Sequence, residues 1–179
     1  MVYLFLADGF EIVEAMAPLD ILRRGGVDLK TVGVMGKTVT CSKGVELKAD
    51  ITIDEVDMDG CEMIVLPGGL PGATNLRDSE EVGEIIDQAE ANGIYMAAIC
   101  AAPMVLGLRG VVRGKKATCF PGYEEDLLGA ECTGEGVVTD GRVITGKGAG
   151  RSLEFGLALL TALKGKAVAE EVAAKMQCK

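Results

Sequence analysis

Histidine and tryptophan are absent from the 179 residues, and aromatic side chains number only four Phe and three Tyr. Without histidine, a Cys-His dyad or Cys-His-Asp triad inside the chain is excluded, and acid–base work falls to carboxyl groups. The six cysteines stand at 41, 61, 100, 119, 132 and 178, and no two have C-x-x-C spacing. A zinc ribbon, a zinc finger and a thioredoxin motif are therefore unsupported, and no metal site is expected. No apolar run is long enough to span a bilayer. The opening "MVYLFLADGF" turns polar at Asp8, so no signal peptide is expected before the first strand. Free thiols in a reducing cytoplasm are the simplest expectation. Basic charge is also scarce. Eighteen Lys and Arg face 27 Asp and Glu, a net −9, which argues against nucleic acid or an anionic membrane as partner and otherwise serves solubility.

What is present is an aliphatic, globular composition. With 49% apolar residues, the chain is expected to form one domain over 1–179 with a proper core. "VYLFL" at 2–6, "DLKTVGV" at 28–34, "EMIVLPGG" at 62–69, "IYMAAIC" at 94–100 and "KKATCF" at 115–120 read as strands. Helical patterns cover 10–26, with a bend expected at Pro18, and 78–93, with Asp78 as N-cap and Glu81 three residues on. Further helices are expected over 102–110, 151–165 and 166–177, and a turn and helix over 121–130. Hairpins are expected around Lys43-Gly44 and Asp140-Gly141. Strands alternating with helices imply an α/β fold with a mostly parallel sheet covered on both faces. The site is expected at the C-terminal edge of the strands.

One junction stands out there. In "YMAAICAAPMVLG" (95–107) a buried strand meets Cys100 and then a helix. A sharp strand-to-helix turn pushes its side chain out at the sheet edge and tolerates only small neighbours, which Ala97, Ala98, Ala101 and Ala102 supply. The following helix is expected to lower the thiol pKa through its dipole. The competing reading is a small cysteine packed at a strand end. For the missing base, "ADGFEIVEAMAPLD" offers Glu11, Glu14 and Asp20. Glu14 lies in an apolar stretch, where a carboxyl keeps its proton to higher pH. The competing reading is an exposed glutamate favoured by the helix start. "TGKGAGRS" (145–152) lacks the Walker pattern, and phosphate binding there is a weak alternative. Arg23 and Arg24 suit a helix C-terminus.

The stretches "VLPGG", "AAICAAP" and "ADGFEIVEAMAPLDILRRGG" resemble the ThiJ/PfpI superfamily, in particular its DJ-one branch, and the resemblance runs through "GKGAGRSLEFGLALLTALKGKAVAEEV". It implies a flavodoxin-like sandwich and a homodimer. It places the oxidisable nucleophile on Cys100, its carboxyl partner on Glu14, and backbone oxyanion donors on Gly69 and Ala101 with Gly68 beside them. Many relatives carry a histidine after the "KAT" strand; the matching residue here is Phe120. Triad-type peptidase chemistry is therefore not expected. Phe120, Cys119 and the glycine corner at Gly148 are expected around the pocket. Whether Cys119 pairs with Cys100 depends on a separation that sequence does not give. The resemblance implies a glyoxalase or deglycase that needs no cofactor and acts on a small carbonyl metabolite, a 2-oxoaldehyde. The alternative it leaves open is an oxidation-sensing stress-response protein without significant turnover.

Overall fold

The computed structural model describes residues 1–178, so the last residue of the expected domain lies outside it. Seven strands form the central sheet. In chain order they are β1 (Val2–Leu6), β2 (Leu29–Gly33), β5 (Ile51–Thr52), β6 (Met63–Leu66), β7 (Tyr95–Ile99), β10 (Val137–Asp140) and β11 (Val143–Gly146). Across the sheet they run β10-β11-β7-β6-β1-β2-β5. Every pair is parallel except the β10–β11 hairpin. Two small ribbons lie outside this sheet. One is β3 (Thr38–Thr40) against β4 (Glu46–Lys48), antiparallel, and the other is β8 (Lys116–Ala117) against β9 (Glu131–Cys132), parallel.

The near-continuous apolar runs follow from burial on both faces. In β1, Tyr3 and Phe5 face one apolar cluster while Val2, Leu4 and Leu6 face the other. The first cluster takes in Leu76 of α2 (Gly72–Asp78), Ile86 of α3 (Glu80–Ala91) and Val105 of α4 (Pro103–Leu108). The second takes in Ile21 and Leu22 of α1 (Ile12–Arg24), Phe155 and Leu159 of α5 (Ser152–Lys164), and Val172 of α6 (Lys166–Lys175). The result is a mostly parallel sheet with helices on both sides, as the sequence pattern implies.

Helix α1 runs as one element through Pro18, where the proline removes one ladder bond while the helix keeps its packed face against α5. Three local expectations are corrected. The helix expected from Asp78 begins one residue later. Asp78 closes α2 and pairs with Arg77, while Ser79 accepts the Val82 N–H at 3.2 Å and is the N-cap of α3. The strand expected over 115–120 shrinks to two residues paired outside the main sheet. The helix expected over 121–130 is only a 3-10 turn at Glu124–Asp126 with none of its residues buried. A helix this short with no apolar face to bury has little to hold it.

Candidate active site

The parallel register brings the ends of β1, β6 and β7 to one edge, at Leu6, Leu66 and Ile99. Cys100 follows β7 directly. Its φ is +65°, a left-handed value that non-glycine residues seldom adopt. Two backbone bonds hold it there: its own N–H donates to the Gly146 carbonyl, and its carbonyl accepts from the Phe120 N–H, both at 2.8 Å. The thiol is half-buried. The small neighbours match the space available, since Ala97, Ala98, Ala101 and Ala102 are all buried.

The loop after β6 is fitted against the loop after β1. Glu11 N–H donates to the Gly68 carbonyl at 2.9 Å. Gly69 has φ +87°, and a Cβ there would stand 2.4 Å from the Glu11 nitrogen, so only glycine fits. Gly68 lies against both Glu14 and Cys100: its Cβ would fall 2.7 Å from Glu14 Oε2 and 2.8 Å from Cys100 Cβ.

Glu14 sits in the first turn of α1 and is fully buried. Its Oε2 accepts the Gly68 N–H at 2.9 Å, while buried Oε1 has no partner within ordinary hydrogen-bond limits. Burial pushes the carboxyl from 4.5 up to about 7; its contacts with Cys100 and Gly68 pull it down, and the Glu11 charge pushes it further up. The thiol is pushed up to about 12 by burial and by the Glu14 carboxylate, against the pull of the Ala101 and Gly69 amides. The expected lowering by a helix dipole is thus not what acts at Cys100. Helix α4 is short and begins at Pro103, which has no N–H to offer. The amides that favour the thiolate are those of Ala101 and Gly69. The carboxyl and thiol together hold at most one negative charge near neutrality, because two adjacent buried anions repel. Near pH 7 the neutral pair and the singly charged pair coexist, and the single charge is shared between carboxyl and sulfur.

A cavity of about 290 Å³ opens onto the sulfur. Gly69, Leu70, Ala101, Phe120 and Tyr123 line it, with Glu11, Ser42 and Lys43 at the polar side. The structure therefore gathers Cys100, Glu14, Gly68, Gly69, Ala101 and Phe120. Gly148 borders an adjoining hollow of about 610 Å³, which Phe120 also lines. Cys119 is buried in the cluster opposite the one Cys100 borders, and both are free thiols. Asp20 is spent on Arg24, and Arg23 on Asp50 and the Leu29 carbonyl. In "TGKGAGRS", Lys147 donates to the Gly134 carbonyl and Arg151 to Glu154, so both cations have partners within the chain.

Sequence reasoning missed Ser42, Lys43, Leu70 and Tyr123. The ribbon reaches the site through long-range backbone bonds, Gly9 N–H to Thr40 and Ser42 N–H to Phe10. Such bonds leave no trace in local periodicity. Among the described residues, no three Cys, Asp or Glu side chains converge as a metal centre, and no helix is long and apolar enough to cross a membrane.

Comparison with known proteins places this geometry. A model of the DJ-1/PfpI family matches residues 1–162. Protein dj-1beta of Drosophila melanogaster is 37% identical over 171 residues, covering 94% of this chain and 91% of that one. A Caenorhabditis elegans protein named glutathione-independent glyoxalase DJR-1.2 is 32% identical over 157 residues, covering 87% and 83%. The solved structure of oxidized Toxoplasma gondii DJ-1 superposes with a TM-score of 0.94 at 32% identity, covering 98% of this chain and 97% of that one. Similarity of this extent, in sequence and in backbone alike, means that the chain belongs to the DJ-1/PfpI family.

Proposed function

We propose that this chain is a glyoxalase or deglycase that needs no cofactor and acts on small 2-oxoaldehydes through Cys100 and Glu14. The observation that carries the reading is a buried carboxyl whose pKa is raised to about 7, coupled to a strained, half-buried cysteine with two backbone amides at its sulfur. A general acid–base group works best with a pKa near the working pH. The relative named as a glutathione-independent glyoxalase lends the substrate class.

In the first step the sulfur attacks the aldehyde carbon, and its proton passes through Glu14 to the carbonyl oxygen. The developing oxyanion is held by the Gly69 and Ala101 N–H groups, and the product is a hemithioacetal. Glu14 then removes the hydrogen on C1 and returns it to C2, while the hydroxyl proton crosses between the adjacent oxygens. The result is a 2-hydroxy thioester. C1 is oxidised and C2 reduced, so no external redox partner is needed. Water cleaves the thioester, releasing the 2-hydroxy acid and restoring the thiol. The test is turnover of methylglyoxal by metal-free protein, with lactate quantified. Cys100→Ser should abolish it, and unimpaired serine enzyme would refute the mechanism.

A second reading uses the same atoms and draws on the oxidized form of the Toxoplasma gondii relative. Cys100 would be oxidised to sulfinate, with protonated Glu14 and the two amides donating to its oxygens. Absence of lactate formation together with quantitative sulfinate under mild peroxide would favour it. A cytoplasmic homodimer is part of our proposal, and a monomer by light scattering at micromolar concentration would remove that part.

A further inference from the structure

Two thiols outside the Cys100 site come together at the β8–β9 ribbon. Ala117 is the register partner of Cys132, and Thr133 N–H donates to the Ala117 carbonyl at 2.9 Å. Cys119 lies two residues beyond Ala117, just past the end of β8, where Thr118 Oγ1 still donates to the Glu135 carbonyl at 2.8 Å; continued along the same path, the strand makes Cys119 the diagonal neighbour of Cys132. The two sulfurs also flank the same loop. The Tyr123 N–H donates to the carbonyl of Phe120, the residue after Cys119, at 3.2 Å, and the Cys132 thiol reaches the Glu124 carbonyl at 3.8 Å.

The diagonal geometry decides what such a pair can hold. A strand spacing of about 4.8 Å and a rise of about 3.3 Å per residue put diagonal Cα atoms roughly 8 Å apart. That exceeds the limit of about 7 Å for a disulfide without backbone movement. An intervening atom suits it better, since two metal–sulfur bonds of about 2.3 Å span about 4.6 Å between sulfurs. No third Cys, Asp or Glu completes a higher-coordinate centre among the described residues. Thiolates select soft ions, and the ion that accepts two of them in a line is a d10 monocation.

We propose that Cys119 and Cys132 form a two-coordinate site for a soft d10 monocation, with Cu(I) as the biological example. Binding forms two metal–sulfur bonds and releases two thiol protons to solvent, with no change of oxidation state. Exposed Cys132 gives the entry path, and buried Cys119 the inner ligand. The bound ion would fix the loop that carries Phe120 and Tyr123 to the Cys100 cavity.

Anaerobic competition of Cu(I) between the protein and bathocuproine disulfonate tests this. Wild-type protein and Cys100→Ser should each hold one equivalent against the chelator. Cys132→Ser, at an exposed position that leaves the core intact, should bind more weakly by roughly 100-fold or more, at least the cost of losing an outer-sphere partner. Cys119→Ser should lose the ion too, with its fold checked by circular dichroism; if it unfolds, Cys132→Ser alone decides. X-ray absorption should count two sulfur neighbours. Retention by Cys132→Ser, loss in Cys100→Ser, three or more sulfur neighbours, or a Cys119–Cys132 disulfide in metal-free protein would each overturn the proposal.

Discussion

Glu14 is the residue whose replacement separates the chemistry of the site from the stability of the fold. In the folded chain its carboxyl titrates near 7 rather than near 4.5, chiefly because it is buried. The unfolded chain ionises at the ordinary value. Between the two, the folded state keeps a proton that the unfolded state has released. The contribution to stability is therefore fully present below about 4.5 and is lost as pH rises through about 7. One unit is worth about 1.4 kcal/mol, so an ionised Glu14 costs the fold on the order of 3 kcal/mol. Against a total of about 5–15 kcal/mol that is a large share.

Glutamine keeps the shape and an oxygen for the Gly68 N–H, and it carries no charge at any pH. Urea unfolding of Glu14→Gln and wild type should differ little at pH 4. At pH 8.5 the variant should be the more stable by about 3 kcal/mol. Its turnover of methylglyoxal should fall by roughly 100-fold, the size of a general acid–base contribution. A stability gap that does not change with pH would refute the argument from burial. Turnover near wild type would refute the role of Glu14 in proton transfer.

Gly68→Ala should be more damaging than an ordinary glycine change, because its Cβ would wedge between Glu14 and Cys100; steady-state kinetics should show turnover down by at least 100-fold, and normal rates would show that the contact relaxes. Phe120→His places an imidazole at the cavity wall, so the pH–rate profile should gain an inflection near about 6.5; an unchanged profile would mean that the ring does not reach the reacting atoms. Ser79→Ala should cost about 1 kcal/mol through loss of the α3 cap, and Asp78→Ala clearly less; thermal melts showing the reverse order would restore Asp78 as the cap.

The strands of the central sheet were legible because a run buried on both faces has no polar alternation. "VYLFL" and "MIVL" could not be anything exposed. The elbow was legible from the small residues around Cys100, although spacing alone left it level with a cysteine packed at a strand end; the positive φ at Cys100 decides between them. Helix α2 was not legible. It opens after Leu70-Pro71 with a glycine at its first position, and such punctuation reads as a turn. It forms because Ala73 and Leu76 are buried in the core, a tertiary gain that outweighs the weak start. The acidic stretch at 124–126 went the other way, reading as helix and settling as a single turn with nothing buried. At the site, Glu14 was visible as a lone carboxyl in an apolar stretch, and the burial that raises its pKa is the same apolar packing. The cavity's polar side was invisible because it arrives on a ribbon joined through long-range bonds of Thr40 and Ser42 to the loop after β1.

The order of the sheet explains how a chain without histidine brings a titratable carboxyl beside a thiol. Strands β7, β6 and β1 are consecutive neighbours. Being parallel, they deliver the residues after their last positions to one edge: Cys100 from β7, Gly68 and Gly69 from β6, and α1 with Glu14 from β1. The three parts need no distant recruitment, only loops that lie close. Glycine at 68 and 69 permits that closeness, and the bond from Glu11 to Gly68 fixes it. Burial then does for Glu14 what an imidazole does by its own chemistry, bringing a titration point close to neutral pH. The two devices differ in cost. An imidazole titrates there in water, whereas the carboxyl does so only while the fold keeps water away. Activity that rests on Glu14 should therefore be lost with local packing before the chain unfolds. Urea at sub-denaturing concentration should lower turnover while far-UV circular dichroism stays native. Coincident loss of both signals would mean that the pair keeps its shifted titration until global unfolding.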